Sequence, residues 1–285
     1  MKLVSFCLDG RQSCGYLEDP DTVVDLGAAG TTLASLLADH PDLVSTSNLA
    51  GTRVSTRELR WMPPVASSNK ILCMGFNFPT HSTELAAPVP APNQPTLFAR
   101  FADSFVGHEQ PIVCPTVSRE LDWEGELAVV IGRRAWQVPA SRALSFVAGY
   151  TCIAENSVRD WQSHGTQATA GKNFWRSGSL GPVVITADEI GEPSGLRLET
   201  RLNGDVMQSA SLADMVVSVA EVIAYVTTFT PLAHGDVIAM GTPAGIGLRC
   251  EPPTFLTPGD TLEVEIDGIG LLRNPVAALE SEQVS

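Results

Sequence analysis

Short stretches of alternating or consecutive apolar residues recur along the chain, separated by clusters of polar residues, glycine and proline. Alternation places successive side chains on opposite faces of a β-strand, and longer apolar runs are typical of strands buried on both faces. Near the amino end this pattern predicts strands at residues 3–8 and 22–26 and a helix at residues 33–38. Thr32 lies directly before this helix and is a residue type that caps helix N-termini.

A break in the pattern follows this first region. Pro63 and Pro64 precede the polar cluster at residues 67–69, and both features are typical of connecting segments. The first region contains no constellation of chemically active residues. We therefore predict a small N-terminal accessory α/β domain over residues 1–65 and a larger domain, which would carry the chemistry, over residues 66–285.

The second region is richer in strands than in helices. Strand patterns bounded by turn residues occur at residues 70–75, 96–101, 124–131, 182–185 and 196–202. The dipeptides Asn203-Gly204 and Asp267-Gly268 are typical of the tight turns in β-hairpins. The clearest helical periodicity spans residues 214–229. Because strands do not alternate regularly with helices, the pattern predicts an α+β fold with a mixed, mainly β core.

Charge and composition narrow the classes of partner. The 285-residue chain has a formal net charge of -14 and scattered Lys and Arg residues, which opposes binding to nucleic acid. No apolar run is long enough to cross a bilayer, and no basic segment followed by an apolar one opens the chain. We therefore expect a soluble cytoplasmic protein without a membrane partner. The six widely spaced cysteines lack a CxxC motif, which predicts reduced thiols.

Two acidic residues begin the predicted strand at residues 124–131. Strand geometry places Glu124 and Glu126 on the same face. Like charges that are partly removed from water either share a proton or hold a cation, although a solvated strand end is the simpler interpretation. Glu155 follows another apolar strand and supplies a third carboxylate, with Asp160 as a competing ligand. Ligation by oxygen alone favours a hard cation, Mg²⁺ or Mn²⁺.

Candidate groups for proton transfer and anion binding occur in other segments. A helical turn would place His81 next to Glu84, and such a pair can deprotonate water, although a surface pair is the alternative. Lys172 follows a glycine and could reach an anionic substrate, unless it is an ordinary surface lysine. The glycine-rich residues 241–247 could bring backbone N–H groups and the Thr242 hydroxyl to a ligand, or form a structural turn.

Taken in order, these segments resemble the fumarylacetoacetate hydrolase superfamily, particularly its acylpyruvate-hydrolase and hydratase-isomerase-like branch. The resemblance covers residues 66–277. It rests on separated motifs, namely Gly75-Phe76-Asn77 through His81 to Glu84, Glu124-Gly125-Glu126-Leu127, Arg159-Asp160-Trp161-Gln162, Gly171-Lys172-Asn173-Phe174, residues 241–247, and Pro258-Gly259-Asp260. Coincidence across so many separate motifs is improbable.

This resemblance implies a fold and a site. The fold is that of the superfamily's C-terminal domain, assembled as a homodimer. The metal, Mg²⁺ or Mn²⁺ with Ca²⁺ able to replace them in a crystal, would be held by Glu124, Glu126 and Glu155. The implied catalytic residues are His81, Glu84 and Lys172. The implied substrate-binding residues are Gln162, Thr242, Arg100 and Arg176.

The chain departs from the family pattern near the implied site. Glu155 stands where most members have Asp, which keeps the carboxylate and lengthens its arm by one methylene. Phe78 replaces a common Tyr, and Arg100 replaces a common Lys. Trp175 and Arg176 stand where an Asp is frequent. A bulky aromatic residue and extra cations near the site indicate a dianionic or larger substrate.

The reaction implied by the resemblance is hydrolysis of a carbon–carbon bond in a 2,4-dioxo acid, an acylpyruvate such as fumarylpyruvate or maleylpyruvate. His81, assisted by Glu84, would activate water. Lys172 and Gln162 would stabilise the negative charge that develops on the substrate. Decarboxylation, hydration or isomerisation of a 2-oxo acid is the alternative, because these reactions pass through the same enolate. A non-catalytic metabolite-binding protein is a further alternative.

Overall fold

Strands dominate the computed structural model, which describes residues 1–27, 30–40, 49–84 and 94–279. The strands are β1 (Lys2–Leu8), β2 (Arg11–Asp19), β3 (Thr22–Asp25), β4 (Thr52–Ser55), β5 (Arg60–Met62), β6 (Ile71–Gly75), β7 (Thr96–Arg100), β8 (Phe105–Val106), β9 (Ile112–Cys114), β10 (Leu121–Asp122), β11 (Gly125–Ile131), β12 (Val147–Ala154), β13 (Ser157–Val158), β14 (Gly178–Thr186), β15 (Arg197–Leu202), β16 (Asp205–Ser211), β17 (Val237–Ala239), β18 (Thr261–Ile266) and β19 (Gly270–Ala278). The α-helices are α1 (Leu33–Asp39), α2 (Pro79–Glu84), α3 (Ala140–Ala143), α4 (Arg159–Gln162), α5 (Thr169–Lys172), α6 (Ala187–Ile190) and α7 (Val219–Phe229). The predicted α+β class is confirmed.

A large mixed sheet forms the centre of the molecule. Its strands follow the order β4-β3-β2-β1-β14-β12-β11-β17-β6-β7, with β5 added beside β1 and β8 beside β14. Every residue of β11 and β12 is buried. Their apolar runs are therefore explained by packing on both faces of the sheet, because neither face meets water. Leu127 and Val129 pack into one core cluster, and Ala128 and Val130 pack into another.

A second sheet covers one face of the large sheet. Its order is β16-β15-β18-β19-β9. Leu198, Val264 and Leu272 from this sheet share a core cluster with Leu127 of the large sheet. Both predicted hairpins are confirmed, since β15 pairs with β16 across Asn203-Gly204 and β18 pairs with β19 across a three-residue connection that contains Asp267-Gly268. The pair of sheets encloses the larger of the two apolar cores.

The amino-terminal strands continue the large sheet. Leu3 of β1 pairs with Val184 of β14, so hydrogen bonds cross the boundary predicted at residue 65. The predicted helix is α1, and Thr32 caps it through a reciprocal capping box with Ser35. The division into domains at residues 1–65 and 66–285 stays a prediction, but backbone pairing joins the two parts.

Helix α7 is shorter than its sequence pattern predicts. The pattern at residues 214–229 indicates one helix, whereas α7 begins at Val219. The Ser218 hydroxyl accepts a hydrogen bond from the Glu221 backbone N–H, and the Glu221 carboxylate accepts one from the Ser218 backbone N–H. This capping box fixes the first turn and separates it from the short 3-10 turn at Leu212–Asp214.

Two further expectations concern the cysteines and the membrane. All six cysteines are free, as predicted. Within the ranges that the structure describes, no helix is long and apolar enough to cross a membrane.

Candidate metal centre

The three glutamates meet where β11 and β12 lie side by side. These strands are antiparallel, with Gly125 opposite Ala154, so the start of one lies beside the end of the other. The Glu155 backbone N–H donates a hydrogen bond of 2.8 Å to the Glu124 carbonyl and closes the pair. Carboxylate oxygens of Glu124, Glu126 and Glu155 all lie within 4.8 Å of one another. The sequence places two of these residues two positions apart, and strand pairing supplies the third.

All three carboxylates are buried, with relative exposures of 6%, 1% and 0% for Glu124, Glu126 and Glu155. This excludes the solvated strand end that the sequence left open. Buried anions this close together require compensating positive charge. Part of that charge comes from neighbouring side chains.

Two cations contact the carboxylates from the side of a cavity. Lys172 Nζ lies 3.0 Å from Glu124 Oε1 and also binds Glu155 Oε2. Arg159 Nη1 lies 2.9 Å from the same Glu124 oxygen, while Arg159 Nε donates to Asp122 Oδ2 at 2.7 Å. Lys172 is therefore a buried partner of the acidic cluster, not an ordinary surface lysine.

Arg100 is a third, fully buried cation that contacts the cluster through Glu155. Its Nη1 lies 3.0 Å from Glu155 Oε1 and donates to the backbone carbonyls of Glu155 and Asn156, and Nη2 donates to the Ser177 hydroxyl at 3.1 Å. The side chain is fully buried and does not line the cavity beside the carboxylates. The geometry thus differs from the expected role of Arg100 as a substrate contact, because its donor groups are engaged by the protein.

The pKa values of the three carboxyl groups diverge. Burial raises the pKa of Glu124, but Lys172 and Arg159 outweigh that effect and hold it well below its usual value. The pKa of Glu126 is raised well above its usual value by burial, then by repulsion from Glu155 and Glu124. Burial also raises the pKa of Glu155 despite its two cationic partners. An additional cation at this point would offset the repulsion at Glu126.

The donor set fits a hard divalent cation. Oxygens that face each other across an octahedral Mg²⁺ lie about 4.2 Å apart, twice the usual Mg–O distance. One oxygen from each of Glu124, Glu126 and Glu155 lies within 4.8 Å of the others, so the three side chains are near enough to share one cation. Carboxylate oxygens without Cys or His suit Mg²⁺ or Mn²⁺ better than Zn²⁺. The three glutamates could therefore hold a divalent metal, and the identity of the ion stays a prediction.

A cavity of about 500 Å³ is lined by Lys172 and Arg159, the two cations that contact Glu124. Its polar lining includes His81, Arg159, Gln162 and Lys172. Its apolar lining includes Phe76, Leu97, Phe98, Ile246 and Leu248. The cavity therefore combines cations that contact the acidic cluster with apolar side chains, and the ring centroid of one of these, Phe98, lies 4.9 Å from Lys172 Nζ.

His81 reaches this cavity from α2, the helical turn that the sequence predicts. Its side chain is 8% exposed, and its ring is stacked with that of Phe76 at a centroid distance of 6.2 Å. Glu84 ends the same helix, but its side chain lies outside the described part of the structure. The predicted His81–Glu84 contact is therefore untested.

Gln162 and Arg159 form the polar side of the cavity mouth. Gln162 Oε1 accepts a hydrogen bond of 3.1 Å from Arg159 Nη1. The other terminal nitrogen, Arg159 Nη2, is buried and has no hydrogen-bond partner among the described residues. Sequence reasoning singled out the motif from Arg159 to Gln162 but did not assign Arg159 to the site. Its position four residues after Glu155 was the available signal.

The glycine-rich segment braces the metal centre through its backbone. Gly241 N–H donates to Glu126 Oε2 at 2.7 Å, and Thr242 Oγ1 donates to the Gly125 carbonyl at 3.0 Å. Gly241 has a φ of 92°, and a Cβ there would lie 2.8 Å from Cβ of Asn77. Thr242 thus contacts the strand that carries Glu126, and Gly241 is required by the turn.

Arg176 lies apart from the carboxylates. It lines a different cavity, together with Arg60 and Trp175, and is not among the residues around the acidic cluster. The structure therefore brings His81, Lys172 and Gln162 to the predicted site, but not Arg176.

Comparisons with known proteins identify the family of this chain. The family profile for the fumarylacetoacetate hydrolase C-terminal domain matches residues 70–277. A mitochondrial oxaloacetate tautomerase from Bos taurus, FAHD2A, is 37% identical over 264 residues, which cover 89% of this chain and 83% of that protein. The human FAHD2A tautomerase is 40% identical over 221 residues, covering 77% of this chain and 70% of that protein.

Solved structures are similar along nearly the whole chain. A fumarylacetoacetate hydrolase from Exiguobacterium antarcticum has a TM-score of 0.85 at 32% identity, covering 98% of this chain and 100% of its own. A 2-hydroxyhepta-2,4-diene-1,7-dioate isomerase from Mycobacterium marinum has a TM-score of 0.79 at 28% identity, with 98% of each chain covered. These relatives include hydrolases, isomerases and tautomerases, all of them enzymes. The chain belongs to the fumarylacetoacetate hydrolase family.

Proposed function

We propose that this chain is a divalent-metal-dependent enzyme that catalyses keto–enol tautomerisation of a small 2-oxo acid such as oxaloacetate. The observation that carries the proposal is that Lys172 and Arg159, which contact the acidic cluster, line one cavity together with His81. Substrate anions are thereby directed toward the carboxylate-bound cation, and a titratable group lies in the same space.

The metal would be held by Glu124, Glu126 and Glu155. When bound, it supplies Lewis acidity that polarises a 2-oxo carboxylate and makes the neighbouring C–H group more acidic. Lys172 is fixed between Glu124 and Glu155, so its ammonium group adds positive charge where the substrate oxygen becomes negative. Arg159 Nη2, which has no hydrogen-bond partner in the described part of the chain, would donate to a substrate carboxylate.

His81 is the proposed proton carrier. Its ring lies in the cavity, away from bulk water, beside the apolar side chain of Phe76. In the neutral form it can accept the proton from the carbon next to the 2-oxo group. The same proton then returns to oxygen, so the reaction is a transfer without a net change in atoms or charge.

Two observations support tautomerisation ahead of hydrolysis. Relatives up to 40% identical are described as oxaloacetate tautomerases. In addition, Arg100 and Arg176, which indicated a larger dianionic substrate from the sequence, do not line this cavity. Its described cationic lining is confined to the end near the carboxylates, which suits a short acid.

Hydrolysis of a 2,4-dioxo acid is the second candidate. It is favoured by the likeness to a fumarylacetoacetate hydrolase structure and by the position of His81, where a base that activates water would stand. The same metal, Lys172 and Arg159 would serve both reactions. The difference lies in whether water attacks a second carbonyl. The apolar side chains that line the cavity would then contact the acyl group of the substrate.

The deciding experiment measures both reactions on metal-supplemented protein. Enol oxaloacetate is followed by its ultraviolet absorbance, and acylpyruvates are followed by mass spectrometry of the products. We expect fast tautomerisation that Lys172→Gln reduces by at least about 100-fold, whereas the exposed Lys2→Gln leaves the rate unchanged. Cleavage of acylpyruvates without acceleration of tautomerisation would instead establish the hydrolase. Tight binding without any turnover would identify a metabolite-binding protein.

Compartment and assembly are proposed on separate grounds. The relatives FAHD2A are described as mitochondrial, whereas the composition of this chain predicts a cytoplasmic protein. The cytoplasmic location and the homodimer stay predictions.

A further inference from the structure

A second cavity of about 450 Å³ lies between the amino-terminal region and the rest of the protein. Arg60, Trp61 and Met62 of β5 line one side of it. Residues 102–110 and the pair Trp175 and Arg176 contribute to the other side. None of these residues lines the cavity beside the metal centre, so this is a separate space.

Two arginines give the cavity positive charge. Among the described residues, neither Arg60 nor Arg176 forms an ion pair or a side-chain hydrogen bond to a carboxylate, although Asp103 also belongs to the lining. Burial and then the proximity of Arg60 lower the pKa of Arg176. Two unneutralised guanidinium groups in one concave site attract an anion even though the whole chain carries a net charge of -14.

Aromatic side chains supply the apolar part of the same cavity. Trp61, Phe105 and Trp175 all line it. The guanidinium carbon of Arg176 lies 5.1 Å from the ring centroid of Trp175, and that indole is 41% exposed. A cation held over an exposed indole keeps donor groups available for a ligand, and the exposed part of the indole offers apolar surface for packing.

We infer that this second cavity binds a small aromatic carboxylate, with Arg60 and Arg176 pairing to its carboxylate oxygens and the tryptophans packing against its ring. The inference does not depend on the proposed function of the metal centre. Two guanidinium groups favour a ligand with two carboxylates over one with a single carboxylate. The volume admits one substituted benzene ring with its carboxylates.

The test uses phthalate as a probe, with the whole protein in Mg²⁺-containing buffer. Binding is followed by isothermal titration calorimetry, with tryptophan fluorescence as a second readout. We expect saturable binding that is weakened about tenfold or more by Arg176→Gln and by Arg60→Gln, because each removes a charge-assisted contact. Arg134→Gln removes an exposed arginine outside the cavity and should leave the affinity unchanged.

Three controls locate and define the binding. Phthalamide lacks the charges and malonate lacks the ring, so both should bind at least about tenfold more weakly than phthalate. Arg159→Gln alters the metal-centre cavity and should not change phthalate binding. Absence of saturable binding, wild-type affinity in Arg60→Gln and Arg176→Gln, phthalamide or malonate binding as tight as that of phthalate, or loss of binding in Arg159→Gln would each overturn the inference. Because Arg60 is exposed, its variant remains informative if Arg176→Gln does not fold.

Discussion

Glu155 differs from the other two carboxylates in the cations that hold it. Arg100 binds it from the buried side, and Lys172 binds its other oxygen. Asp160, the alternative ligand, is instead engaged by the Ser118 hydroxyl at 2.7 Å and by the Trp161 backbone N–H at 2.9 Å. The contacts therefore support Glu155 as the third ligand.

Substitution of Glu155 tests this assignment. We expect Glu155→Ala to lose most of its affinity for Mg²⁺ and Mn²⁺, and Glu155→Asp to retain binding because it keeps the carboxylate. Calorimetric titration with Mn²⁺ measures both. Unchanged affinity in the alanine variant would remove Glu155 from the site, and a parallel loss in Asp160→Asn would then identify Asp160 as the ligand.

Arg100 gives a prediction about stability. Arg100→Met leaves a buried carboxylate without one of its cations, so the free energy of unfolding should fall by about 3–5 kcal/mol. Urea unfolding measures the change. The exposed Arg197→Met, which removes a loose surface pair with Glu199 at 3.8 Å and an exposed hydrogen bond to the Ser209 hydroxyl, should cost less than about 1 kcal/mol. Equal losses in the two variants would show that Arg100 has no special role in holding Glu155.

At the scale of single elements, helix α7 depends on its first turn. Ser218 and Glu221 satisfy each other's backbone N–H groups at the start of this helix. Ser218→Ala should therefore reduce the free energy of unfolding by about 1 kcal/mol, whereas Ser218→Asp should keep most of it. Thermal and urea unfolding provide the comparison. A loss of the same size in Ser218→Asp would mean that packing, not capping, fixes this end of the helix.

An acid-sensitive contact joins β2 to the end of β3. Burial acts to raise the pKa of Asp25, but hydrogen bonds from Ser13, Arg11 and the Gly27 backbone outweigh it and lower the pKa. A lowered pKa means that ionised Asp25 stabilises the fold above its unfolded value of about 3.9. This contribution is lost as the pH falls through the lower pKa of the folded state.

The corresponding experiment follows urea unfolding from pH 7 down to pH 3. Wild-type protein should lose stability more steeply toward acid than Asp25→Asn, whose side chain does not titrate. Asp267→Asn, a change at an exposed residue of the turn between β18 and β19, serves as the control and should keep the acid profile of the wild type. Parallel acid profiles for wild type and Asp25→Asn would show that Asp25 contributes no pH-dependent stability.

At the scale of the whole molecule, the sequence predicts the strands and the acidic cluster more fully than the placement of the arginines. Glu124 and Glu126 could be assigned to one site because alternation along a strand places both side chains on the same face. Arg100 could not be placed in the same way, since the direction of its side chain depends on Glu155 and Ser177, which are distant in sequence. Arg176 has a positive φ of 54°, a turn conformation that hydrophobic patterning does not encode.

Assembly is a further property of the whole molecule. The resemblance to the family predicts a homodimer, and large apolar side chains such as Phe101, Trp136 and Phe229 are exposed on the single chain. Light scattering coupled to size-exclusion chromatography should therefore give twice the chain mass of 30.3 kDa. A mass equal to one chain at micromolar concentration would contradict the dimer.

The pairing of β1 with β14 has a consequence for recombination between relatives. A chimera joined near residue 65 would exchange five strands of the large sheet, β1 to β5, and with β5 the side of the second cavity that carries Arg60. Arg176 and all three metal-binding glutamates would stay with the other parent. Ligand preference in that cavity can thus diversify by swapping amino-terminal segments while the chemistry at the glutamates is inherited intact, provided that the hydrogen bonds between β1 and β14 are kept.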